Sequence, residues 1–130
     1  MEIGARLGAG HIGVLIQHAL DIDPWRTLWD IALGTPIAFA PTTPGYATVR
    51  FLTAPHAGRL VSVTGLPAVN TTIPAVCVRA AAGALVGPAT SNRGRLGHIV
   101  VAGHDPVTVD NRVAQILRQI TITVDPRNGT

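Results

Sequence analysis

Leu96-Gly97-His98-Ile99-Val100-Val101-Ala102-Gly103-His104-Asp105-Pro106 is the stretch on which the reading of the fold turns. From Leu96 to Gly103 the residues form a nearly unbroken apolar run bounded by turn formers, rich in β-branched side chains, and this predicts a strand. Asp105-Pro106 follows at once. A capping carboxylate ahead of a ring that suits the first helical turn predicts a helix running to about Gln119. Ile120 to Val124 then predicts a closing strand.

Working upstream, Ala75 to Ala80 alternates around Cys77 and predicts another strand, reached through a loop from Pro67 to Pro74 that carries Asn70, Thr71 and Thr72. Ala47 to Ala54 and Arg59 to Val63 read as two strands, and Pro55-His56-Ala57-Gly58 between them predicts a hairpin. Gly83 to Arg95 reads as a loop. At the other end, Met1 to Ala5 resembles the tail of a strand and Gly10 to Ile22 a helix, with Ile12, Leu15, Ile16, Ala19 and Leu20 at helical spacing. Asp23-Pro24 starts a second helix that Gly34 stops. Its Trp25, Leu28, Trp29, Ala32 and Leu33 share a face expected in a core or a dimer interface. The prolines and glycines between Thr35 and Gly45 make a connector. The expected class is α+β: an antiparallel sheet with helices packed on it, in one domain over 1–130, with the motif and two helices in 1–34 and a strand-rich body in 47–124.

A chain of 130 residues can bury about two-thirds of its unfolded surface. Apolar residues make up 47% and charged residues 13%, which leaves a sparsely charged exterior and points to self-association, with a homodimer as the default. The ten basic residues are all arginine, scattered from Arg6 to Arg127, and the few aromatics lie in apolar segments, so the chain lacks a nucleic-acid footprint. The single cysteine, Cys77, cannot form an internal disulfide and reads as a buried structural thiol. Without a leader or an apolar run of membrane-spanning length, the expectation is a cytoplasmic protein that does not touch a membrane.

Candidate chemistry gathers at Glu2-Ile3-Gly4-Ala5-Arg6-Leu7-Gly8-Ala9-Gly10-His11. Glu2 is the only glutamate, and the glycines suit a turn in which backbone approaches a ligand closely. A helix starting there would aim free N–H groups at an anion beside Arg6, Gly8 and Gly10. Glu2 and His11 have the groups for proton transfer, and Arg6 suits a carboxylate or a developing oxyanion. A simple Glu2–Arg6 pair is the alternative. No two histidines have the close spacing of a zinc site, whereas Glu2 could join a magnesium site. Neither Ser62 nor Ser91 sits in a glycine elbow, and a chain without lysine has no lysine-bearing phosphate loop.

That opening stretch resembles the metal and phosphate motif of ATP-grasp ligases, Glu-hydrophobic-Asn-x-Arg followed by a small-residue turn and a helix. Ser91-Asn92-Arg93-Gly94-Arg95-Leu96-Gly97-His98-Ile99-Val100-Val101-Ala102-Gly103, with Arg50-Phe51-Leu52, Gly58-Arg59-Leu60 and the last helix and strand, is similar to the C-terminal domain of the L-amino acid ligase and biotin carboxylase-like branch. The resemblance covers nearly all of the chain and about the last third of such an enzyme. It implies a metal-binding role for Glu2 and a phosphate-binding role for Arg6. Gly4 stands where the second metal ligand belongs. The family grips its nucleotide between central and lid domains that this sequence does not contain, so the chain is expected to use no cofactor by itself.

Three functions follow as expectations. The first is a non-ATP biosynthetic enzyme, an isomerase or cyclase for a natural-product intermediate, with Glu2, Arg6 and His11 bordering an apolar pocket for a small-molecule substrate. The second is the C-terminal subunit of a split ligase, with magnesium and ATP held together with a separate ATP-grasp chain. The third is a binding or scaffolding module without chemistry.

Overall fold

The structure, a computed structural model, describes residues 10–37 and 45–126. Among these the order is α1 (Ile12–Leu20), α2 (Pro24–Ala32), β1 (Tyr46–Thr53), β2 (Gly58–Thr64), β3 (Ala75–Val78), β4 (Leu85–Val86), a 3₁₀ turn (Asn92–Gly94), β5 (Arg95–Gly103), α3 (Pro106–Gln119) and β6 (Thr121–Pro126). The α+β class holds, with antiparallel pairing throughout and helices on the sheet.

The described residues form two sheets where the sequence suggested one. Their strand orders are β1-β5-β3 and β4-β2-β6. The expected β1–β2 hairpin does not form: β1 pairs with β5 along its whole length, from Tyr46 opposite Gly103 to Thr53 opposite Arg95. The link between β1 and β2 offers none of the Asn-Gly or Gly-x pairs that a tight reversal needs, and the chain instead crosses to the second sheet. There β2 lies between β4 and β6. The presumed loop from Gly83 to Arg95 accordingly contains both β4 and the 3₁₀ turn.

β5 is the hub, and its residues from Leu96 to Ala102 are all buried. Burial on both faces explains the unbroken apolar run, because alternate side chains point to opposite sides of the sheet. Ile99 and Val101 join Val109, Val113 and Ile116 of α3 in one core. His98, Val100 and Ala102 face the other way, where α1 lies against β1 and β5. A second core of Leu52, Ala54, Leu60, Leu96 and Val124 joins the sheets, with Ile120 packed against both clusters. Gly97 permits the close approach of β3: a Cβ there would meet the carbonyl oxygen of Cys77 and stand 2.9 Å from Val78 Cα.

Both proline-led helices begin where the sequence placed them. Asp23 accepts from the N–H groups of Trp25 and Arg26 at the start of α2, and Asp105 accepts from Thr108 N–H at the start of α3. The first helix is shorter than expected, beginning at Ile12. Two details differ in burial. Cys77 is on the expected strand but only half-buried, because β3 is an edge of its sheet. The apolar face of α2 is not core: Trp29 is 68% exposed and Leu33 75%. No helix among the described residues is long and apolar enough to cross a membrane.

Candidate functional site

The start of α1 is built on an unusual backbone. Gly10 and His11 take successive left-handed conformations, with φ of 78° and 70°. Glycine adopts that region freely, whereas a residue with a Cβ is strained there by roughly 1–2 kcal/mol. His11 O nevertheless accepts from Leu15 N–H at 3.0 Å, so the helix is properly begun. Among the described residues no side chain caps it, and N–H groups of its first turn are left unpaired by the helix.

What holds His11 in place is the sheet beneath it. Its ring lies 3.9 Å, centroid to centroid, from that of His98, tilted by 35°. The Phe51 ring is 6.0 Å from that of His11, centroid to centroid. Cross-strand register explains the grouping, since His98 is opposite Phe51 on β1 and Cys77 on β3, so the three side chains form one row on the α1 face.

His98 is the buried polar residue of this row. Its Nδ1 has no hydrogen-bond partner among the described residues. An unpaired acceptor costs less than an unpaired donor, which favours the tautomer with its proton on Nε2. Burial, then the neighbouring His11, then the Arg79 guanidinium all hold His98 below the usual imidazole range. This end of the sheet carries a surplus of positive charge and resists taking up another proton.

Arginines extend the row outward. The Arg95 guanidinium sits 3.5 Å above the centre of the Phe51 ring, a contact that orients its planar fork. Beyond it opens a groove of about 590 Å³ lined by Arg79, Arg93, Arg95, Ala80, Val86 and Asn92, among others. Its wall is tied to β5, because Leu96 O accepts from the N–H groups of Arg79 and Ala80.

Of the residues singled out in the sequence, Glu2, Arg6 and Gly8 lie outside the described residues. Gly10 and His11 form the turn just described. Sequence reasoning missed His98, Phe51, Arg95 and Arg79. One signal for His98 was available: it is the single polar side chain inside the apolar run from Leu96 to Ala102. Among the described residues no group of three or more His, Cys, Asp or Glu could hold a metal ion.

The sequence profile of the family described as L-amino acid ligase C-terminal domain 2 matches residues 50–125, more than half of the chain. The chain belongs to this family. The match begins at Arg50, beside Phe51, and runs through β5 and α3 to Asp125, so it includes the Phe51–His98 row and the arginine groove. Two solved structures are similar in fold. The L-amino acid ligase from Bacillus licheniformis superposes with a TM-score of 0.75 at 17% identity, over 95% of this chain and 32% of that one. Phosphoribosylglycinamide synthetase from Anaerococcus prevotii superposes with a TM-score of 0.77 at 14% identity, over 92% of this chain and 32% of that one. The chain thus spans about a third of each protein, as an ATP-grasp-derived domain. No curated protein matches the chain by sequence.

Proposed function

We propose that this chain is the C-terminal part of an ATP-dependent carboxylate–amine ligase and works with nucleotide-binding domains outside these 130 residues. The observation that carries the reading is the family match over residues 50–125, which includes the row and groove at which α1 begins. Joining a carboxylate to an amine requires that negative charge on oxygen be held and that the amine lose a proton. In this reading Arg95, fixed on Phe51, supplies the positive charge. His11, wedged on His98, accepts the proton. ATP is the driving substrate, spent as ADP and phosphate on the partner domains. Glu2 and Arg6, on the resemblance, would complete the site from the segment ahead of Gly10.

An isomerase or cyclase draws no support from the comparisons, and the family's ligase character favours the present reading over it. The test is reconstitution. The chain is mixed with ATP-grasp domains that copurify with it, and ADP release is measured with carboxylate and amine substrates present or omitted. Release that needs both proteins and both substrates, and that falls at least about a hundredfold in His11→Ala, is the expected result. Substrate turnover by the chain alone without ATP would overturn the reading in favour of the isomerase or cyclase, and binding without turnover would leave a scaffolding module.

A further inference from the structure

Several arginines of this protein are engaged within the fold. Arg26 pairs with Asp30 at 3.2 Å, Arg50 donates to Thr48 Oγ1 and lies 3.7 Å from Asp110, and Arg59 donates to Gly83 O at 2.6 Å. Those guanidinium groups are occupied with the fold. Arg79, Arg93 and Arg95 differ: among the described residues none has an ion pair and no guanidinium of the three donates a hydrogen bond, although all three line one groove. No Asp or Glu is among the described residues lining it.

Three like charges facing one concave surface repel one another and would not gather there for the sake of stability. Arg95 is nevertheless held, by its stack on Phe51 and by its backbone N–H, which donates to Asn92 O at the end of the 3₁₀ turn. Arg93 is set by the same turn, where its N–H donates to Ser91 Oγ at 3.3 Å. Arg79 follows directly on β3, with its N–H bound to Leu96 O at 2.8 Å. The backbone therefore fixes the roots of all three side chains and leaves the forks open. Planar forks presenting paired N–H groups fit an oxyanion bidentately.

We propose that the Arg79–Arg93–Arg95 groove binds a compact oxyanion carrying two negative charges, a phosphoryl group or a pair of carboxylates. Identification of that anion as a part of the ligase's substrate rests on the function proposed above, whereas its binding does not. On that reading the substrate carries a second anionic group besides the carboxylate that reacts, seated against Arg79 and Arg93, while Arg95 holds the reacting carboxylate at the end toward His11.

The experiment uses the full chain, labelled with nitrogen-15, titrated with inorganic phosphate and separately with succinate, against sodium chloride of equal ionic strength. Saturable shifts at the amides of Ala80, Asn92 and Gly94 are expected with at least one of the two dianions and not with chloride. Tighter binding of phosphate identifies a phosphoryl group, and tighter binding of succinate a paired carboxylate. Arg93→Gln and Arg79→Gln, at exposed side chains that the fold does not need, weaken the binding at least about tenfold each, whereas Arg26→Gln leaves it unchanged. Shifts that never saturate, or affinities unaltered in Arg79→Gln and Arg93→Gln, overturn the proposal. Because no ATP or second protein is present, such a failure leaves the ligase reading standing, and a failed reconstitution does not touch this binding.

Discussion

His11 and His98 lie with their rings 3.9 Å apart although one begins the first helix and the other occupies the middle of the central strand. Two imidazoles in that contact cannot both be charged without strong repulsion, and Arg79 adds to it. Removing His11 therefore lifts His98 toward its ordinary value of 6.5, short of it by the share due to burial and Arg79. Proton NMR titration of His98 in His11→Ala checks this. An unmoved midpoint would mean that the ring contact is absent in solution.

The depressed His98 also makes stability depend on pH. Its pKa in the fold is below the unfolded value of 6.5, so the unfolded chain binds the extra proton first as pH falls. Stability is full above that value, declines as pH drops from it toward the lowered folded pKa, and levels off below. Urea midpoints measured across this window fall in the native protein. His98→Phe keeps a ring under His11 but cannot titrate, and its midpoints should be flatter there.

His11 offers a comparison of backbone strain with packing. Alanine at this position loses the stack and keeps the Cβ in a left-handed conformation, whereas glycine loses the stack and removes the strain. His11→Gly should accordingly be more stable than His11→Ala by about 1 kcal/mol, the reverse of the usual order for these residues in a helix. Paired denaturation curves decide it. A more stable alanine variant would show that φ at residue 11 is not 70°.

Most regular elements of this protein were legible because their signals are local, and the two-residue β4, too short to carry a pattern, was not. Asp23-Pro24 and Asp105-Pro106 cap their helices as read, and β5 is the strand that its apolar run announces. Strand pairing was not legible. Ala47–Ala54 and Arg59–Val63 are adjacent in sequence and reasonable as a hairpin, yet β1 gains more by lying along β5 under α1, a preference that depends on residues about fifty positions away. The site was half legible for the same reason. His11 advertises itself beside glycines, but Phe51, His98, Arg79 and Arg95 become neighbours only through the β1-β5-β3 register. The exposure of Trp29 on α2 decides only the core half of the core-or-interface expectation for that face, since helical spacing shows that a face is apolar and not what covers it.

Gly97 and Gly87 separate a packing glycine from an incidental one. A Cβ at Gly97 would collide with the Cys77 carbonyl, which the β3–β5 ladder cannot release without breaking its register, while a Cβ at Gly87 meets Ala57 at ordinary contact distance, 3.8 Å from its Cβ. Gly97→Ala should lose more than about 2 kcal/mol or fail to fold, and Gly87→Ala should stay within about 0.5 kcal/mol of the native protein. Thermal denaturation of the two variants side by side is the check. Equal stability would place β3 farther from β5 than the structure does.

The tryptophan face of α2 yields the last expectation. Trp25, Leu28, Trp29 and Leu33 are all exposed by at least 38% in this chain, and an apolar surface of that kind belongs against another protein surface. If the nucleotide-binding domains of the proposed ligase cover it, Trp29 contributes to assembly and hardly at all to the fold of the isolated chain. Trp29→Gln should then keep its unfolding midpoint, with a change within about 0.5 kcal/mol, while losing affinity for those domains and binding less of a hydrophobic dye. Tryptophan fluorescence should shift to shorter wavelength when the domains are added to the native chain. A large loss of stability in Trp29→Gln would instead put this side chain in the core, and an unshifted spectrum in the assembled complex would leave the face uncovered there.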